Sequence, residues 1–155
     1  NPQFNRETIE AQLKKNGIQY VYLGKELGPR SDDPQCYKNG KAAYNLIADT
    51  VFFREGLNRL KKGIEKYRIA LMCSEKDPIT CHRMILICRK VRDNDIQIHH
   101  ILDNGELESN KEAEKRLMSV LKIPELTLFD DPETLINQAY DIQSEKIAFS
   151  LKSND

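Results

Sequence analysis

Cys73, Ser74, Glu75, Cys81, His82 and Arg83 crowd functional groups into one short stretch of the chain. Two thiols can act as nucleophiles, as a redox pair or as soft metal ligands. Glu75 and His82 are candidate proton carriers. Arg83 offers a planar fork suited to phosphate or carboxylate. The expected arrangement makes Cys73 the nucleophile or redox thiol and Cys81 a resolving or supporting thiol. His82 and Glu75 then move protons, and Arg83 and Ser74 contact the substrate. Arg30, in an earlier loop, and Asn5, near the start of the chain, are further candidate substrate contacts.

Other readings of the same residues stay open. Cys73, Cys81 and His82, joined by His99 or His100, could form a zinc sphere. Seven residues separate Cys73 from Cys81, which is not zinc-knuckle spacing, and Cys81 and His82 are adjacent, which is awkward for two ligands on one ion. A metal-free thiol site is therefore the expectation. A Cys73–Cys81 disulfide requires the loop to close, and there is no Cys-x-x-Cys signature. Taken singly, each cysteine is more often a small core residue, and Cys88 falls on an apolar helical face that fits that role. His82 beside Arg83 could simply solvate a helix start. His99 and His100 alternate across a strand, so at most one of them reaches the site.

The elements expected to position these residues alternate. Asn5 caps a first helix carrying Ile9 and Leu13, and Asn16-Gly17 stops it. Ile18 to Leu23 reads as a strand rich in β-branched and aromatic residues. A glycine- and proline-rich loop over 24–40 follows, with Cys36 and Tyr37 as candidate lid residues. Lys41 to Asp49 is a short helix. Phe53, Leu57, Leu60, Ile64 and Tyr67 mark a stronger one. Arg68 to Met72 reads as a buried parallel strand. Asp77-Pro78 reads as a helix start, and Met84 to Val91 as the buried face of that helix. Asp93 to Asp95 turns the chain, and Ile96 to Ile101 is a third strand. Ser109 to Glu112 is a capping box opening a further helix. Asp131-Pro132 starts the last one, with Leu135, Ile136, Ala139 and Tyr140 inward, and residues 150–155 are expected to fray.

This order predicts an α/β fold: three layers, α/β/α, around a mostly parallel, Rossmann-like sheet, with C-terminal helices from about residue 108. Cys73 then lies at the carboxyl end of its strand, the usual ligand edge of such a sheet, facing a helix N-terminus.

At 155 residues the chain predicts one domain with a core that needs no disulfides. The 24 basic and 24 acidic residues cancel, which does not support a nucleic-acid wrapper. No apolar run approaches the roughly 18 residues of a membrane span. Free thiols without a secretory leader point to the cytoplasm. The first residues, Asn1-Pro2-Gln3-Phe4-Asn5, read as the continuation of upstream material rather than a start.

The chain resembles the bacterial family called domain of unknown function 488 (DUF488). The resemblance is carried by Asn1 to Asn5, Glu26-Leu27-Gly28, Cys36-Tyr37, Phe53 with Gly56-Leu57, Leu71 to Glu75 and Cys81-His82-Arg83. Leu128-Phe129 and the run from Ala139-Tyr140 to Ala148-Phe149 extend it. It implies an upstream strand, helix and strand ending in Gly-His-Ser-type and Asp-x-Arg-type motifs, so the chain is expected to be shortened at its N-terminal side. The motif points to an enzyme, and the resemblance implies no established reaction or cofactor. The functional expectation is cysteine-dependent chemistry on a small anionic or nucleotide-like substrate. The alternatives are a non-catalytic nucleotide or nucleic-acid binding module and a structural metal site.

Overall fold

A computed structural model describes residues 5–92 and 95–151. Its first helix, α1 (Arg6–Lys15), has Glu7 in its first turn and Lys14 and Lys15 in its last, matching the helix dipole. Asn5 holds the N-cap position in extended geometry, but its side chain makes no capping hydrogen bond. Gly17 ends the helix region at a φ of 70°, a conformation that glycine adopts without steric cost.

The next stretch corrects the sequence reading. Ile18 to Leu23 is not a strand, and neither is Arg68 to Met72. Among the described residues, the sheets are two small antiparallel pairs, and there is no parallel sheet. The three-layer, Rossmann-like α/β/α expectation is therefore wrong for this chain, which is mainly helical. The physical reason is the pairing. β-Branched and aromatic residues favour an extended, half-buried backbone, but a strand exists only beside a partner. Among the described residues, no backbone hydrogen bond joins 19–22 or 68–72 to another segment. Their apolar side chains are correspondingly exposed: Ile18 is 54% exposed and Met72 56%. Leu23 and Leu71 alone turn inward from these two stretches, to pack against the core.

The 24–40 loop contains local structure. Asp33 caps a short 3-10 turn, Pro34–Cys36, by accepting from the Gln35 N–H at 2.9 Å. A minimal hairpin follows, β1 (Tyr37–Lys38) against β2 (Lys41–Ala42), in register Tyr37 to Ala42. Asn39 and Gly40 form its turn at φ 51° and 72°, the pair of positive values that twists with its strands. Residues 149–151 dock here: the Ala42 N–H donates to Phe149 O at 2.8 Å, and the Leu151 N–H donates to Gly40 O at 2.7 Å.

Two helices then pack side by side, α2 (Tyr44–Asp49) and α3 (Val51–Ile64). Thr50 caps α3 by accepting from the Phe53 N–H at 3.1 Å. Phe53, Gly56 and Leu60 form its buried stripe, while Tyr67, expected on the same face, lies beyond the helix and is exposed. The segment just after Ile18–Leu23 and the 68–72 stretch both lean on α3. Gly56 faces Glu26 and Leu27, Gly63 faces Ile69, and Arg59 bonds Glu26 at 2.6 Å.

The segment after the thiol stretch is helical but irregular. Asp77 accepts from the Ile79 N–H at 3.1 Å and starts a 3-10 turn, Pro78–Thr80. A π-helical turn, Arg83–Ile87, and a 3-10 turn, Cys88–Lys90, continue it. Met84, Ile85, Leu86, Ile87 and Cys88 are buried in succession, so these five residues have no solvent face and run through the core. Cys88 lies in this core, as its sequence position predicts.

The predicted third strand is shorter than expected. β3 (His99–Ile101) pairs antiparallel with β4 (Leu107–Ser109) around Gly105. The turn expected at Asp93 to Asp95 falls partly outside the described residues. Ser109 and Glu112 form the expected capping box of α4 (Asn110–Leu121). Asp131 caps α5 (Pro132–Ile147) by accepting from the Thr134 N–H at 3.0 Å, and Leu135, Ile136, Ala139 and Tyr140 face inward as predicted. One core cluster joins Leu27, Tyr44, Phe53, Met84, Leu117 and Tyr140. Arg116 on α4 holds Asp77 at 2.9 Å and Glu108 at 2.8 Å, tying the thiol stretch to α4 and β4. No helix among the described residues is long and apolar enough to cross a membrane.

Candidate thiol–imidazole site

The local backbone answers the adjacency problem of Cys81 and His82. Cys81 is extended, at φ −117° and ψ 137°, and His82 is already right-handed helical, at φ −59° and ψ −23°. That change at one residue lets two neighbouring side chains converge. His82 Nδ1 lies 3.5 Å from Cys73 Sγ and 3.9 Å from Cys81 Sγ. The two sulfurs and the ring nitrogen all lie within 4.8 Å of one another. The irregular Leu71–Cys73 stretch brings one thiol from one side, and the turn after Thr80 brings the other two groups.

Arg83 binds this arrangement together. Its Nε–H donates to Cys81 Sγ at 3.0 Å, and its backbone N–H approaches the same sulfur at 3.5 Å. Its Nη1 donates to Leu71 O at 3.3 Å and its Nη2 to Glu75 O at 2.7 Å. The guanidinium therefore spends donors on the loop that carries Cys73 and Glu75.

Burial separates the groups. Cys81 is fully buried and Cys73 half-buried, and Cys36 and Cys88 are buried. Burial raises the Cys81 pKa. The two Arg83 N–H groups oppose the rise without cancelling it, and Cys73 adds to it. Burial first, and then the Arg83 charge, push His82 down to about 4, so its imidazole is neutral at neutral pH. Cys88 is pushed up to about 12, chiefly by burial.

The remaining predicted residues are distributed less tightly. Ser74 and Glu75 are exposed, and the Glu75 carboxylate adds to the electrostatic surroundings of Tyr44. Arg30 stacks on the Phe149 ring at 3.9 Å, against the C-terminal segment. Asn5 sits at the start of α1. Among the described residues, neither side chain makes a hydrogen bond, ion pair or ring contact with Cys73, Cys81 or His82. Of the two strand histidines, His99 is exposed, and His100 is buried with Nε2 3.1 Å from Asn110 Oδ1. Neither belongs to the group formed by Cys73, Cys81 and His82.

Tyr44 is a neighbour that sequence reasoning missed. It is buried at the start of α2, and its pKa is pushed up to about 12, first by burial and then by Cys81, Cys73 and Glu75. No local spacing signals this, because 29 positions separate Tyr44 from Cys73 (73 − 44 = 29). Two cavities of about 510 and 240 Å³ lie away from the sulfurs. One is lined by α5 residues including Asn137 and Asp141, the other by Lys76, Asp77, Leu102, Asp103 and Arg116.

No curated protein and no solved structure matches the chain. The profile described as domain of unknown function DUF488 matches residues 1–89, a stretch that contains Cys73, Cys81, His82 and Arg83. That match spans more than half of the 155 residues, and the chain belongs to the DUF488 family.

Proposed function

We propose that the chain is an enzyme with cysteine-dependent chemistry, in which Cys73 is the reacting thiol and His82 its base. The carrying observation is the 3.5 Å approach of Cys73 Sγ to His82 Nδ1. Cys73 is also the half-buried member of a set whose other cysteines are buried, so a reagent meets it first. A thiol–imidazole pair at this separation transfers the thiol proton to the ring as the sulfur attacks. Cys81 supports the pair as a second sulfur, or attacks a mixed disulfide on Cys73, forming the Cys73–Cys81 disulfide and releasing the bound group as its thiolate.

The substrate class remains the small anionic one. The Arg83 charge beside the cluster favours an anion, although its N–H groups are directed inward. Ser74 and Glu75, exposed next to Cys73, are the side chains best placed to meet a bound molecule.

Native-state alkylation tests this reading. Limiting iodoacetamide followed by peptide mapping is expected to modify Cys73 well before Cys36, Cys81 and Cys88. His82→Asn is expected to slow that modification by about 100-fold, the low end of the effect of a positioned base. Resistance of Cys73 to alkylation in the folded, metal-free chain would remove the reading.

A further inference from the structure

We infer that Cys73, Cys81 and His82 form a binding site for a soft divalent cation of the zinc type, with three protein ligands and an open fourth position. The inference uses the same three side chains as the thiol reading but does not require Cys73 to be a nucleophile.

The geometry carries it. Zinc–sulfur bonds of about 2.3 Å and zinc–nitrogen bonds of about 2.0 Å, at tetrahedral angles, set sulfur–nitrogen edges of about 3.5 Å. The observed edges are 3.5 Å from Cys73 Sγ to His82 Nδ1 and 3.9 Å from Cys81 Sγ to the same atom. All three donor atoms lie within 4.8 Å of one another, so an ion fits at their centre with small side-chain adjustments. A single ring nitrogen has one hydrogen-bonding lobe. It can serve one sulfur, or a point shared with both, and a cation occupies that shared point.

The donors surrounding the cluster match as well. The Nε–H and backbone N–H of Arg83 both approach Cys81 Sγ, the orientation that holds a ligating thiolate in place. Two thiolates neutralise a dication, and Arg83 leaves one positive charge beside it, which favours an anion at the fourth position. Thiolate and imidazole ligands select zinc-like ions over magnesium or calcium. The sulfur of Cys73 cannot ligate a cation and attack a substrate at once, so occupancy also blocks the thiol reaction reversibly.

Cobalt(II) titration of the full chain tests the site. One Co²⁺ per chain is expected, with a near-ultraviolet thiolate-to-cobalt band and the visible bands of tetrahedral coordination. Cys73→Ser is expected to remove about half of the near-ultraviolet intensity, because one of two sulfurs is lost. Cys73→Ser and His82→Asn are each expected to weaken binding by at least about tenfold, the scale on which ligand-shell changes act. His99→Ala is expected to leave the spectrum unchanged. One equivalent of Zn²⁺ is expected to displace Co²⁺ and to protect Cys73 from alkylation.

The absence of a thiolate–cobalt band at stoichiometric metal overturns the inference, as does a band of full strength in Cys73→Ser. A band lost in His99→Ala moves the imidazole ligand to β3 and overturns the assignment of His82. Inert Cys73 in the metal-free chain, with the cobalt band intact, overturns only the thiol reading. Fast alkylation with no cobalt band overturns only the metal inference.

Discussion

Arg83 Nε lies 3.0 Å from Cys81 Sγ, while the other arms of the same guanidinium hold the carbonyls of Leu71 and Glu75. One side chain thus fixes the fully buried thiol and the loop that delivers the half-buried one. The separation of Cys73 from His82 depends on that clamp. Lysine carries the charge but not the fork, and cannot reach three acceptors in fixed geometry.

Arg83→Lys is accordingly expected to destabilise the chain by about 2 kcal/mol, the scale of hydrogen bonds from a charged donor. Urea unfolding measures it. The same variant is expected to slow alkylation of Cys73, because the loop loses its register with His82. Unchanged stability and unchanged alkylation together would show that the clamp has no role.

Gly56→Ala tests how the stretch after Ile18–Leu23 seats on α3. A Cβ at Gly56 would lie 2.5 Å from Glu26 Cβ and 3.1 Å from Leu27 Cδ2. The first is an atom fixed to the backbone, so the 24–28 segment must move. The expected cost is about 1–3 kcal/mol, the range for overpacking. A thermal melt reads it, and an unchanged or raised Tm would contradict this packing.

Acid is expected to weaken the fold in two stages. His100 is buried, with Asn110 Oδ1 accepting from Nε2–H, so a second proton must enter at Nδ1. Burial lowers its pKa below 6.5. The Asn110 bond and Glu108 act in the opposite direction, and Arg83 and Arg116 reinforce the lowering. The unfolded chain gains this proton as pH falls through about 6.5, and the folded chain does not. Stability is therefore full above that pH and declines below it. His82, lowered to about 4, shares the window. Asp77, held down chiefly by its hydrogen bonds from Arg116, contributes a later loss, below its ordinary value of 3.8. The urea midpoint is expected to fall between pH 7 and pH 5, and His100→Gln is expected to flatten part of that slope. A midpoint independent of pH over this range would show that His100 and His82 take up protons equally in the folded and unfolded chain, and so are not lowered by burial.

Hydrogen exchange should separate the two extended stretches from the helices. The amides of Gln19 to Tyr22 and Arg68 to Met72 donate to no group among the described residues, so they are expected to exchange early. The amides of Leu57 and Leu60, inside α3, are expected to exchange much later. Slow exchange over 68–72 would mean that this stretch has a strand partner in solution.

The sequence by itself determined the local features. Asp131-Pro132, the Ser109–Glu112 box and Asn16-Gly17 act within a few residues, so their types suffice to place α5, α4 and the end of α1. The spacing of Phe53 and Leu60 was enough for α3, because a helix closes its hydrogen bonds within itself. Cys73, Cys81 and His82 were also legible as a group, from concentration alone. Tertiary structure decided the rest. Ile18–Leu23 and Arg68–Met72 have strand composition, but pairing is a property of two segments, and no described segment pairs with 19–22 or 68–72 through backbone hydrogen bonds. Their residue types do not say whether a partner strand lies beside them, and the parallel sheet expected from them does not form among the described residues. The same holds for the site. Only the turn from extended Cys81 to helical His82 points adjacent side chains at one sulfur, and only the folded chain brings Tyr44 into their surroundings.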